Sequence, residues 1–115
     1  MPVIESYSFG SMVINGTSYS KDVIIFPDGS ILSPWWRNQG HVLAAGDLQK
    51  LLETEPEIII CGTGAMGVMR PTTELKEYLK AVNIQFISRK SSKAVEMYNQ
   101  MSGNRKVGGC FHLTC

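Results

Sequence analysis

The stretch Ile58-Ile59-Ile60-Cys61-Gly62-Thr63-Gly64-Ala65-Met66-Gly67 decides the fold. Three consecutive β-branched residues and a cysteine are apolar toward both faces. A strand reads this way when both faces are covered, as in a parallel or mixed sheet between helices. Gly62, Gly64 and Gly67 then give G-x-G-x-x-G spacing. A chain leaving a buried strand needs φ > 0 and close backbone approach, and glycine allows both without a Cβ penalty. Open α/β sheets hold ligands at the carboxyl ends of their strands, so this loop is also the first place to look for a site.

Downstream, Thr72 after Pro71 is a candidate N-cap, and Leu75, Tyr78, Leu79 and Val82 share one helical face. Asn83 can end that helix in the left-handed region. Ile84–Ser88 reads as a strand, which completes a β-α-β unit. Ser91 or Ser92 is expected to cap a third helix with Ala94, Met97, Tyr98 and Met101 on its apolar face, and Gly103-Asn104 closes it. Lys106–Leu113 is the last strand. In it Val107, Gly109, Phe111 and Leu113 point one way and Gly108, Cys110 and His112 the other. Two glycines side by side in a strand call for something packed close against them. The buried strands are thus expected at Ile58–Cys61, Ile84–Ser88 and Lys106–Leu113.

Upstream the pattern is antiparallel. Asn15-Gly16 between Ser11–Ile14 and Thr17–Tyr19 is a type I′ hairpin signal. Val23–Phe26 leads into the turn Phe26-Pro27-Asp28-Gly29-Ser30, where proline presets φ and glycine takes the positive φ. Ile31-Leu32 resumes the strand pattern. Ser33–Gly40 is a loop holding both tryptophans, followed by a short extended piece, His41-Val42-Leu43. Asp47 is a plausible N-cap for a helix through Leu48, Leu51 and Leu52 to about Thr54, stopped by Pro56.

The 115 residues make one domain, 1–115, long enough to bury roughly two thirds of its unfolded surface. A net charge of +1 lacks the basic excess of a polyanion binder, which argues against nucleic acid. Three cysteines, Cys61, Cys110 and Cys115, do not suggest a disulfide framework and fit a reducing compartment. No leader pattern opens the chain, and its apolar runs fall short of the roughly 20 residues of a membrane span. These features predict a cytoplasmic protein with no membrane contact.

Several stretches carry a family resemblance: Phe26-Pro27-Asp28-Gly29-Ser30, the Trp36-Arg37…His41 spacing, Ile59–Gly64, Tyr98-Asn99 and, most specifically, Val107–Cys115. Over most of its length the chain resembles a small domain of unknown function. That domain is shared by the adipogenesis-associated domain-containing protein and the mitochondrial complex I assembly factor family, with many short bacterial and archaeal members. The resemblance implies an α/β fold, a single three-layer domain with a mixed central sheet flanked by helices and N-terminal β hairpins packed to one side. It implies no activity.

Dinucleotide binding is disfavoured. The helix start at Pro71-Thr72 lies well after Gly67, and no Asp or Glu stands between Ala81 and Lys93 to hold a ribose. A small polar ligand on backbone N–H groups of Gly62, Thr63 and Gly64, with Arg70 nearby, is the alternative to a purely structural turn. Trp36, Arg37 and His41 form a second constellation, since Trp and Arg anchor partners and histidine can move protons. No carboxylate has a recognisable spacing to orient His41. His112 and Cys115 are separated by two residues, but zinc needs a second such pair, and a continuing strand would put them on opposite faces. The candidate ligand-binding residues are therefore Trp36, Arg37, His41, Gly62, Thr63, Gly64 and Arg70. No catalytic residue, metal or cofactor is expected. The function indicated is a non-enzymatic interaction or assembly domain for a protein partner or small polar ligand. The alternative is a small-molecule-binding protein or enzyme using the same pocket.

Overall fold

The computed structural model describes residues 2–115. In chain order its strands are β1 (Ile4–Ser8), β2 (Ser11–Ile14), β3 (Thr17–Tyr19), β4 (Val23–Ile25), β5 (Ile31–Leu32), β6 (Val42–Leu43), β7 (Ile58–Gly62), β8 (Arg70–Pro71), β9 (Gln85–Arg89) and β10 (Val107–Phe111). The α-helices are α1 (Gln49–Leu52), α2 (Thr73–Ala81) and α3 (Ser91–Met101). The central sheet has the order β5-β4-β10-β7-β9. β7 runs parallel to β10 and β9, whereas β4 is antiparallel to β10 and β5. This is the mixed sheet that the β-branched run implied.

Strand alternation sorts the core into two layers. Ile58 and Ile60 join Val107 and Phe111 on the face covered by Ala94 and Tyr98 of α3 and by Ile4, Met12 and Ile14 of the separate β1-β2-β3 sheet. Ile59, Cys61 and Cys110 point the other way, against Leu51 of α1, Leu75 and Leu79 of α2, Leu43 and Trp35. Each fully buried isoleucine contributes about 1.5–3 kcal/mol, so β7 with every residue buried anchors both layers. The paired glycines of β10 admit close neighbours. A Cβ at Gly108 would lie 2.6 Å from Leu51 Cδ1, and one at Gly109 would lie 2.7 Å from Phe111 Cε2.

Local signals are realised in detail. Asn15 and Gly16 have φ of 49° and 81°, as the hairpin needs, and Asn83 ends α2 at φ 64°. Thr72 Oγ1 accepts from Leu75 N–H at 3.1 Å.

Other readings are corrected. β9 is an edge strand and only partly buried, because β7 covers one of its sides alone. β1 and the two-residue β8, paired in parallel with β6, have no clear sequence signal. Asp47 caps no two-turn helix; it lies in the 3₁₀ turn Ala45–Leu48, and α1 is only four residues long. Its carboxylate instead accepts from Ala44 N–H at 2.9 Å and Asn38 N–H at 3.1 Å, which pins the tryptophan loop. Neither Ser91 nor Ser92 is the cap of α3: that position is Lys90, and the Ser91 hydroxyl serves the site below. On α2 only Leu75 and Leu79 are buried, while Tyr78 and Val82 are exposed.

Candidate binding face at the carboxyl end of the parallel strands

β7 and β10 end at the same edge of the molecule. Beyond β10, residues 112–115 continue across the mouth of the glycine loop. His112 N–H donates to Gly62 C=O at 2.9 Å, Ala65 N–H to Thr114 C=O at 2.7 Å, and Val68 N–H to Cys115 C=O at 3.0 Å. Gly64 has φ +105°, and a Cβ there would run into the Cys115 carbonyl. Gly64 N–H donates to Ser91 Oγ at 2.9 Å, and that hydroxyl donates to His112 C=O at 2.6 Å. Thr63 gives both its N–H and its hydroxyl to Arg89 C=O. The N–H groups of Thr63, Gly64, Ala65, Gly67 and Val68 are thus all used within the chain. Of the anticipated backbone donors, Thr63 N–H is taken by Arg89 and Gly64 N–H by Ser91, while Gly62 C=O, Ala65 N–H and Val68 N–H hold the chain's own segment 112–115.

On the other side of that segment lies a largely buried polar trio. Asp22, just ahead of β4, accepts from Leu113 N–H with Oδ1 at 2.8 Å. Its Oδ2 lies 2.7 Å from His112 Nδ1 and 2.8 Å from Arg37 Nη2. A carboxylate only accepts, so His112 Nδ1 carries the proton, and its 3.2 Å approach to Arg37 Nη2 is proximity rather than a hydrogen bond. Arg37 also donates from Nε and Nη2 to Gly40 C=O and lies 4.6 Å above the Trp35 ring. Trp35 is fixed in turn by its indole N–H on Asp47 C=O at 3.0 Å. The side chains of Arg37, His112 and Asp22 are 4%, 8% and 14% exposed. Burial alone would push the Asp22 carboxyl up. The hydrogen bonds from His112, Leu113 N–H and Arg37 outweigh it and hold the group below the usual carboxylate range.

Two atoms of the trio, Arg37 Nη1 and His112 Nε2, are buried without a hydrogen-bond partner among the described residues. Both side chains line a cleft of about 290 Å³, whose other walls include Lys21, Pro34, Trp35 and Trp36. A larger hollow of about 450 Å³ lies at the opposite, amino end of the parallel strands, between Leu52, Glu55, Tyr78, Val82 and Arg105. None of those five side chains is a buried charge, so its chemistry is weaker.

The structure brings three of the anticipated residues together. Trp36 is exposed on the cleft wall, the buried Arg37 side chain lines the same cleft, and the exposed His41 meets His112 edge-on with ring centroids 5.8 Å apart. Arg70 is exposed in β8, its N–H on His41 C=O at 2.9 Å, and its guanidinium has no partner among the described residues. Asp22 and His112 as partners escape sequence reasoning, because no local spacing links them. The described residues contain no group of three or more His, Cys, Asp or Glu that could hold a metal ion.

A model of the family "Protein of unknown function (DUF498/DUF598)" matches residues 4–112, a span that includes Asp22, Arg37 and His112. The chain belongs to this family. Solved structures resemble the DUF498/DUF598 chain along its whole length. A conserved hypothetical protein of Pyrococcus horikoshii OT3 is 24% identical over 97% of this chain and 98% of that one, with TM-score 0.84. A protein named MT938 is 27% identical over 100% of both chains, with TM-score 0.83. A protein from Bordetella parapertussis is 22% identical over 98% of this chain and 96% of that one, with TM-score 0.81. They share the mixed α/β fold.

Proposed function

We propose that this DUF498/DUF598 chain is a non-enzymatic interaction domain that docks a protein partner at the carboxyl end of β7 and β10. One observation carries the reading. Phe9, Trp36 and Met66 are 63%, 73% and 70% exposed, and Val68 is exposed as well. All four are placed around segment 112–115. Gly10 N–H, next to Phe9, donates to Leu113 C=O, and Trp36 lines a cleft with Thr114. Ala65, next to Met66, bonds Thr114, and Val68 itself bonds Cys115. Large apolar side chains gathered at one end of a small domain mark interaction sites.

The charges nearby complete the partner's description. Lys21 borders the cleft, Arg70 flanks His41, and Lys90 packs against Gly67. The one carboxylate of the trio, Asp22, is already paired. The partner therefore presents an apolar centre with acidic residues around it, matching the Trp36–Met66 surface and its basic rim. The likeness to the adipogenesis-associated and complex I assembly proteins supports assembly as the kind of role. Three free cysteines support a reducing, cytoplasmic setting. Among the described residues, no helix is long and apolar enough to cross a membrane.

The test is affinity capture from the source cell with three baits: wild type, Trp36→Ala/Met66→Ala, and Tyr78→Ala/Val82→Ala at the opposite end. The docking face predicts one partner retained by the first and third baits, lost from the second, and released by salt. A partner held equally by the first two baits overturns it.

A further inference from the structure

Arg37 Nη1, His112 Nε2 and the Tyr98 hydroxyl are buried without a hydrogen-bond partner among the described residues, and of these only the first two belong to side chains that line a cleft. A buried polar group without a partner costs about 1–3 kcal/mol, and here two belong to neighbouring side chains on one cleft. Both side chains are more than nine-tenths buried. The remaining polar atoms of the trio are well used, on Asp22 and on Gly40 C=O. Asp22 lines the cleft with Arg37 and His112, and beyond the trio the polar Ser20, Lys21 and Thr114 face an apolar wall of Pro34, Trp35 and Trp36. The Trp36 side chain lies outside both cores, so it is the wall that can swing to admit a ligand.

We propose that this cleft binds a small monocarboxylate with an apolar tail. One carboxylate oxygen accepts from Arg37 Nη1, and the other meets His112 Nε2. Arg37 is already balanced by Asp22, so the incoming negative charge is surplus. A proton taken from solvent onto His112 Nε2 balances it and turns that atom into a donor. The ionisable groups around His112 are Asp22 and Arg37 in contact, His41 edge-on at 5.8 Å, and Lys21 on the cleft wall. Asp22 holds the imidazole in the tautomer that leaves Nε2 free for this proton. The tail lies against the Trp35 and Trp36 rings. A volume of about 290 Å³ suits an acid of a few carbons and is at the small end for ligand sites. The cleft shares Trp36 and Lys21 with the proposed docking face, but its measure is butyrate binding by the purified chain whereas that of the docking reading is partner capture, so either can fail alone.

The chain has two tryptophans, and both line the cleft, so intrinsic fluorescence reports occupancy. Butyrate is titrated against butyramide, its uncharged counterpart, at constant ionic strength. The site predicts a saturable change with butyrate at least about tenfold tighter than with butyramide, equivalent to about 1.4 kcal/mol. Calorimetry in buffers of different ionisation heat should show about one proton taken up per butyrate. NMR shifts should centre on the Arg37 guanidinium and the His112 ring. Trp36→Ala, which leaves the trio intact, should weaken butyrate several-fold by calorimetry. Any one of four results overturns the proposal: no saturable response by about 50 mM, butyramide binding as well as butyrate, shifts centred elsewhere, or Trp36→Ala binding at wild-type affinity.

Discussion

Asp22 and His112 stand 90 positions apart in the chain and 2.7 Å apart in space. The same carboxylate takes Leu113 N–H, so one side chain ties the end of β10 to the start of β4 and to the tryptophan loop through Arg37. Removing it leaves Arg37 buried without its counter-charge. Asp22→Asn should cost about 3 kcal/mol, the usual penalty for breaking a buried pair from one side.

The same pair sets an acid limit on stability. The folded Asp22 carboxyl titrates below its ordinary value, because the hydrogen bonds from His112, Leu113 and Arg37 exceed the burial penalty. Its contribution is therefore complete above the unfolded carboxyl value of about 3.9 and is lost as pH falls through the lower folded value. Melting temperatures of wild type and Asp22→Asn should differ by a constant amount from neutral pH to about pH 5. The two should converge in stronger acid. A gap that widens as pH falls would contradict the assignment.

Gly64 and Gly40 give a paired test of the loop. Gly64→Ala forces a side chain into φ +105° and into the backbone of Cys115. It should cost about 2 kcal/mol and speed amide exchange at Ala65 and Val68, the donors to segment 112–115. Gly40 has open space around it and no positive φ, so Gly40→Ala should fall within about 0.5 kcal/mol of wild type.

Cys61 and Cys110 are register partners on the two central strands, both fully buried. The adjacent Cys61 thiol, together with burial, holds the Cys110 thiol well above its usual range. Cys115 is exposed. One thiol equivalent should react quickly with an aromatic disulfide reagent in native protein, and three after unfolding. A second fast equivalent would contradict this placement.

Asn99 clamps the first strand. Its side chain accepts from Ile4 N–H at 3.0 Å and donates to Ile4 C=O at 2.8 Å. Asn99→Ala should cost about 1–2 kcal/mol and expose the Ile4 amide to exchange, with residues 58–62 unaffected.

What the sequence made legible follows the range of its signals. The buried β7 run, the Asn15-Gly16 hairpin, the Thr72 cap and the β10 face alternation are written in neighbouring residues, and the structure holds each of them. Trp36, Arg37 and His41 were readable as a cluster because they share one loop. The trio was not, since the carboxylate that orients a histidine comes from residue 22 and the histidine it orients is His112 rather than His41. Ser91 looked like a helix cap because serine before an apolar run usually is one. Tertiary contact draws its hydroxyl to Gly64 and His112 instead. The glycine loop looked open because nothing local shows that residues 112–115 return to fill it.

The proposed function of this domain is to dock a protein partner around segment 112–115. Amide hydrogen exchange of the chain alone and with its captured partner tests it most directly. Docking at this face predicts added protection at residues 9–10, 36–41 and 65–68, and none at 52–57 or 78–84. Protection confined to residues 52–57 and 78–84 would contradict it and move the interface to the opposite end of the sheet.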